Sequence, residues 1–245
     1  MLDALMALIF SKSGYVLGII FGLLALATAI IFIFLAERAS LELKDRIKSW
    51  WIIVIIFVFG AMLNTTLAMV FFALLSYLAL KEYFTLIPTR LTDRRIIFYA
   101  YMSIIIQYWF ASIPWYGMFI IWIPVYLFLL LPFRQVLIGE TKGFLEYTSR
   151  IQWGLMMFVF GLSHLAYMIT LPPLHASDVG GRELVLYLVL LTELNDVLQY
   201  LWGKALGKHK IVPKVSPNKT VEGFIGAFVT LSFLAIVFSF LTPFS

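Results

Sequence analysis

Apolar residues run through this chain in blocks, and its polar residues gather between them. The blocks Tyr15–Ala36, Ile96–Ala111, Trp115–Leu131, Ile151–Leu171, Leu184–Trp202 and Thr220–Leu241 lie near the roughly 20 residues that carry a helix across a bilayer. A further block, Trp50–Leu80, is too long for one ordinary span and short for two. Asn64-Thr65-Thr66 at its middle supply turn chemistry, so the block reads as a hairpin of two short helices. The pattern predicts an all-α fold, a polytopic integral membrane bundle of about eight transmembrane helices. Residues 1–245 then form a single membrane-embedded domain.

Charge orients those spans. Basic residues bias short loops toward the cytoplasm. With the hairpin counted as two spans, the loops Glu37–Ser49, Lys81–Arg95, Pro132–Arg150 and Gly203–Lys219 fall on one side and hold sixteen of the eighteen Lys and Arg residues. The opposite side keeps only Lys12 and Arg182. One long span in place of the hairpin would set the first basic loop against the other three. The expectation is therefore both termini outside and the loop after Trp202 in the cytoplasm, in a multi-pass protein of a bacterial inner (plasma) membrane.

Composition agrees. Of 245 residues, 62% are hydrophobic and 13% charged, against about 25% charged in soluble domains. The net charge of +5 sits in short inter-span loops, which argues against a nucleic-acid partner. Cysteine is absent, which excludes disulfides and thiolate metal sites. The N-terminus has no cationic n-region, so the first span reads as an uncleaved anchor.

Several smaller features carry structural expectations. Gly14, Gly18 and Gly22 form a ridge that lets helix backbones approach closely, within one bundle or across a homodimer. Residues 37–48 mix Leu41, Leu43 and Ile47 with charges, as a short interfacial amphipathic helix would. His164, in mid-span, reads as a helix–helix hydrogen-bonding residue.

Two groups of polar residues point to chemistry. An ionisable side chain inside a span is costly and marks a functional candidate. Glu193 and Asp196 stand three residues apart on one helix face, in the half of their span that runs into the basic loop. Carboxylates beside clustered lysines suit Mg²⁺ held together with a polyphosphate. The alternative is that both acids pair with Lys204 or Lys208 and finish the helix. The loop itself reads GKHKIVPKVSPNKTVEGFIG from Gly207 to Gly226. Lys208, Lys210 and Lys219 are point charges for phosphate, and His209 stands among them. Ser216 and Thr220 add hydroxyl donors. Ser216-Pro217-Asn218 reads as a turn leading into the last span, whose first turn contains Glu222 and whose N-terminal amides favour an anion. Lys204 and Lys214 fit a topology signal that also touches anionic lipid. The stretch from Gly203 to His209 imitates a P-loop, but it has three residues between the glycines instead of four and ends in His.

From Glu193 to Ala227 the sequence resembles the phosphatidate cytidylyltransferase family, also called CDP-diacylglycerol synthases. The likeness rests on Asp196, Tyr200, the Gly-Lys-rich loop and Ser216-Pro217-Asn218-Lys219-Thr220-Val221-Glu222-Gly223. Val221 stands where the family usually has Trp. The resemblance implies cytidylyl transfer from CTP to phosphatidic acid or a related phospholipid with Mg²⁺ as cofactor, giving CDP-diacylglycerol and pyrophosphate. It also implies that Ser216, Lys219, Thr220 and Glu222 line the nucleotide–phosphate site, with Asp196 at the metal–polyphosphate centre. Lys208, His209, Lys210 and Asn218 join them as phosphate-binding candidates, and Glu193 joins Asp196 as a metal candidate. Lys219, Ser216 and Asp196 are the catalytic candidates.

The family's C-terminal signature has Lys-Arg, Lys-Asp, Pro-Gly-His-Gly-Gly and then Asp-Arg-x-Asp. It is absent before Ser245, so the resemblance implies a C-terminally truncated form. Alternatives are a CTP-dependent polyprenol or lipid-alcohol kinase, an inactive membrane scaffold, or a transporter.

Overall fold

The computed structural model describes residues 11–29, 41–88, 94–137, 139, 142–173 and 179–243. Within them the chain forms helix α1 (Lys12–Ala29) and helix α2 (Leu41–Phe57), which continues through a π-helical turn at Val58–Met62. Helices α3 (Thr65–Leu86), α4 (Arg94–Ser112), α5 (Tyr116–Val136), α6 (Phe144–Ile169) and α7 (Gly181–Leu206) follow. Strands β1 (Lys210–Val212) and β2 (Ser216–Thr220) then lead into helix α8 (Val221–Val237) and a 3₁₀ turn at Ser239–Leu241. Helices α3, α5, α6 and α7 are long and apolar enough to cross a membrane, and shorter apolar stretches occupy Lys12–Leu26, Ile47–Met62 and Val221–Val237. An all-α membrane architecture fits these residues, with one small addition, the hairpin β1–β2. Contacts divide the chain into two units, Met1–Thr170 and Leu171–Ser245.

In the first unit the long apolar block breaks at Asn64. The Asn64 Oδ1 accepts from the Leu67 N–H at 2.7 Å and caps α3. The chain turns back there: the ring of Phe71 lies 2.5 Å from where a Cβ on Gly60 would stand. Both helices run past the expected ends of the block into its polar flanks. In particular, α2 begins at Leu41 and continues unbroken to Phe57, so residues 41–48 are the first turns of a longer helix and not a separate amphipathic one. Residues 37–40 lie outside the described residues, as does the expected first span beyond Ala29. A Cβ on Gly18 or Gly22 would meet nothing within 4 Å, so no described segment packs on that part of the glycine ridge.

A buried row on α3 (Ala68, Phe72, Ser76, Leu80 and Phe84) recurs every four residues, the period of one helix face. Neighbouring helices bind its polar groups. Tyr108 of α4 donates to the Phe72 carbonyl at 2.8 Å, and its hydroxyl lies 2.8 Å from Ser76 Oγ. Tyr83 donates to the Arg150 carbonyl of α6 at 2.9 Å, and its ring lies 2.6 Å from where a Cβ on Gly154 would be. Only glycine permits that approach. Gln107 is fully buried and donates to the Phe119 carbonyl and Ser163 Oγ. His164 bonds within its own helix instead of across to another: Nδ1 lies 2.7 Å from the Phe160 carbonyl, and the ring packs against Phe119. The π-helical segment Trp122–Leu127 contains Pro124, which lacks the N–H that an α-helical ladder requires.

The second unit is two helices joined by the hairpin. Glu183 Oε2 accepts from the Gly180 N–H at 2.9 Å and caps the start of α7. Helices α7 and α8 then lie against each other. Tyr187 donates to the Ala235 carbonyl at 3.1 Å, and Trp202 Nε1 donates to Thr230 Oγ1 at 3.0 Å. The Trp202 ring fills the space that a side chain at Gly226 would need, 2.5 Å from its ideal Cβ. The last helix starts at Val221 and ends at Val237, shorter than the expected Thr220–Leu241.

Candidate functional site

All the candidate site residues belong to the second unit. Helix α7 ends where Gly207 turns into extended backbone, its N–H still bonded to the Gly203 carbonyl at 3.1 Å. The β-branched Ile211 and Val212 favour a strand, and the antiparallel register pairs Lys210 with Thr220 and Val212 with Ser216. The Val221 N–H donates to the His209 carbonyl at 2.9 Å, carrying the pairing one step toward the helices. The reversal falls at Pro213-Lys214-Val215, closed by the Val215 N–H on the Val212 carbonyl at 3.0 Å. Ser216-Pro217-Asn218, expected as the turn, is therefore part of strand β2. Pro217 is tolerated there because a two-stranded hairpin leaves one edge of each strand unpaired.

The ladder is irregular between the Lys210–Thr220 and Val212–Ser216 pairs, with a step of two residues in β1 set against four in β2, so the alternation of faces is interrupted there. Pro217, Asn218 and Lys219 are all exposed. Thr220 is buried at the root of the hairpin. Its Oγ1 accepts from the Gly223 N–H at 3.1 Å and caps α8, close to Gly203 of α7 and to Gly207 just beyond that helix. The Thr220 hydroxyl, expected as a phosphate donor, is thus also the N-cap of the last helix. Lys208, His209, Lys210, Asn218 and Lys219 are exposed, and Ser216 is half-buried.

Glu222 stands at the hairpin end of α8, ahead of the apolar run 223–237. It accepts the Lys208 N–H at 3.0 Å and the His209 N–H at 3.2 Å, and its Oε1 lies 2.6 Å from His209 Nδ1. The His209 ring nitrogen and the two backbone amides stabilise its carboxylate form. Glu222 is therefore a fixed anion that holds the hairpin to the helix. Hydropathy gives no sign of this contact, because its partners lie thirteen and fourteen residues away and meet it only through the hairpin.

Asp196 and Glu193 are exposed on α7, and neither has an ion-pair or hydrogen-bond partner among the described residues. The pairing with Lys204 or Lys208 does not form. Lys204 Nζ lies 5.8 Å from the centre of the Tyr200 ring, and Glu222 takes the Lys208 backbone. By helical geometry Asp196 shares a face with Gly203, two turns or about 10 Å along the axis. Gly203 in turn touches the start of α8, its Cα 3.0 Å from where a Cβ on Gly223 would stand. Two free carboxylates one turn apart fit Mg²⁺, which takes one or two carboxylates and completes its shell with water and phosphate oxygens. Among the described residues, no group of three or more His, Cys, Asp or Glu could enclose a metal without substrate.

The chain matches a family model described as the cytidylyltransferase family over residues 44–245. It is 42% identical over 231 residues to the protein YnbB of Escherichia coli, covering 93% of this chain and 75% of that one. It is 30% identical over 204 residues to the phosphatidate cytidylyltransferase of Staphylococcus haemolyticus, covering 83% of this chain and 74% of that enzyme. A phosphatidate cytidylyltransferase of Staphylococcus aureus shares 41% identity over 85 residues, 34% of this chain and 33% of its own length. No solved structure matches the chain.

Proposed function

This chain belongs to the cytidylyltransferase family, and from that premise we propose that it transfers the cytidylyl group of CTP to the phosphate of phosphatidic acid or a closely related phospholipid. The products are a CDP-lipid and pyrophosphate. The observation that carries this reading is the cationic hairpin rooted between α7 and α8, on the same helix as two carboxylates with no partner among the described residues.

The reaction needs no covalent enzyme intermediate. An oxygen of the lipid phosphate attacks the α-phosphorus of CTP as the bond to the bridging oxygen of pyrophosphate breaks. Positioning and charge neutralisation supply the catalysis. Lys208, Lys210 and Lys219 provide point charges for the phosphates, and Ser216 and Asn218 provide neutral donors. Asp196 and Glu193 would hold Mg²⁺, which supplies further positive charge to the polyphosphate. With phosphatidic acid and labelled CTP, the purified chain will release pyrophosphate and form a CDP-lipid. Transfer only to a free lipid alcohol, with CDP as the second product, would replace this reading by the lipid-kinase one.

The chemistry belongs at the cytoplasmic face of a multi-pass protein with eight spans and both termini outside. Sixteen of the eighteen basic residues then share the hairpin's side, which supports this arrangement. A cysteine at position 209 will react with a membrane-impermeant reagent only from the cytoplasmic side, and one at position 64 only from the other. Access to both from one side would refute the topology.

A further inference from the structure

His209 is held from two sides. Its N–H and Nδ1 meet the Glu222 carboxylate, and its carbonyl accepts the Val221 N–H. The His209 side chain is nevertheless 78% exposed, against 25% for Glu222. Its other ring nitrogen, Nε2, has no partner among the described residues. Fixing the backbone and one ring nitrogen so firmly, while leaving the second free, is a way to aim that second nitrogen. With Nδ1 engaged by the carboxylate, Nε2 is the ring atom left to meet a ligand, and an N–H there can donate to a phosphate oxygen along a direction that the flanking backbone bonds set.

Glu222 is unsuited to touching the nucleotide itself. Both its oxygens already serve donors of the hairpin, and a second anion would repel a polyphosphate. We propose that Glu222 is a positioning residue that anchors Lys208 and His209, and that His209 Nε2 contacts a phosphate oxygen of the nucleotide substrate or its pyrophosphate product. This inference rests on the proposed cytidylyl transfer for the identity of the phosphate. It makes Glu222 act through His209, and it reduces the number of groups in the motif that meet substrate directly.

The test uses the full chain in detergent, with inorganic pyrophosphate and Mg²⁺ as the binding probe. Glu222→Gln will lower hydrogen-exchange protection of the Lys208 and His209 amides and weaken pyrophosphate binding by about tenfold, the effect of losing one charge-assisted hydrogen bond. In turnover assays it will raise KM for CTP and leave kcat within about twofold, as expected for loss of binding common to ground and transition states. Unchanged amide protection in this variant overturns the proposal.

A pair of substitutions separates the two ring nitrogens. The amide nitrogen of Gln reaches the position of Nε2, and that of Asn the position of Nδ1. His209→Gln must bind pyrophosphate at least about fivefold more tightly than His209→Asn, roughly the value of one hydrogen bond. Equal binding, or tighter binding by His209→Asn, makes His209 a mere tether and overturns the proposal. If the unaltered protein binds pyrophosphate yet transfers no cytidylyl group, the proposed function fails while these binding and exchange results still decide the role of Glu222. If the unaltered protein binds no pyrophosphate, this inference fails as well.

Discussion

Lys219→Ala will lower the turnover of cytidylyl transfer at least tenfold, a loss of about 1.4 kcal/mol of transition-state stabilisation. Lys219 is exposed on β2, one residue before the cap of α8, and has no ion-pair partner among the described residues. The nearest carboxylate in sequence, Glu222, is engaged by Lys208 and His209, just ahead of β1. The charge of Lys219 therefore remains available for phosphate. Its backbone is fixed by the pairing of Lys210 with Thr220, so little ordering remains to be done when substrate binds. Lys219→Arg keeps the charge but changes a point donor into a planar fork, and should recover part of the rate. Lys214→Ala, in the turn at the far end of the hairpin, should change turnover by less than about twofold, as a surface charge that only screens would. Normal expression of Lys219→Ala with unchanged kinetics would remove Lys219 from the site.

Gly223→Val will destabilise the second unit by about 3 kcal/mol, the upper end of the cost of overpacking a tight contact. A Cβ there would stand 2.8 Å from the Gln199 carbonyl oxygen and 3.0 Å from Gly203 Cα. Both are backbone atoms of α7, which cannot swing aside as a side-chain tip can. The only relief is separation of α7 from α8, and the Thr220 cap sits at that crossing, with Oγ1 2.9 Å from the same Cβ. Heat-induced aggregation of detergent-solubilised protein should therefore begin at a lower temperature, and transfer activity should fall with it. Gly22→Val supplies the contrast, since nothing lies within 4 Å of its Cβ, and its melting should be nearly unchanged. Equal stability of the two variants would mean that α7 and α8 do not meet at Gly223.

Much of the architecture was legible because hydropathy reports directly on what lipid tolerates. The turn at Asn64 could be read from a block of awkward length with polar residues at its centre, and the acids on α7 stood out as charges inside an apolar run. Lysine density is the ground on which the sequence suggests phosphate chemistry. What hydropathy could not supply was the geometry within the polar segment. Ser216-Pro217-Asn218 has turn-forming residues, but Ser216 pairs with the β-branched Val212 and the turn falls at Pro213–Val215. Thr220 and Glu222 look alike in a motif, as polar groups near phosphate. One is a buried helix cap and the other an anchor for the opposite strand, and both roles depend on contacts that only the register creates. Mid-span placement suggests that His164 bridges helices, but its Nδ1 meets the Phe160 carbonyl one turn back on its own helix, which also accepts from Ser163 Oγ.

The hairpin joins its helices with almost no slack. Gly207 still bonds back into α7, and Val221 is at once the first residue of α8 and a donor to His209. A residue gained or lost at either root would pull Gly207, Val221 or the Glu222 carboxylate away from the partners they hold. A change of length around Pro213–Val215, at the tip, leaves all of those bonds in place, so the segment tolerates growth at its tip better than at its roots.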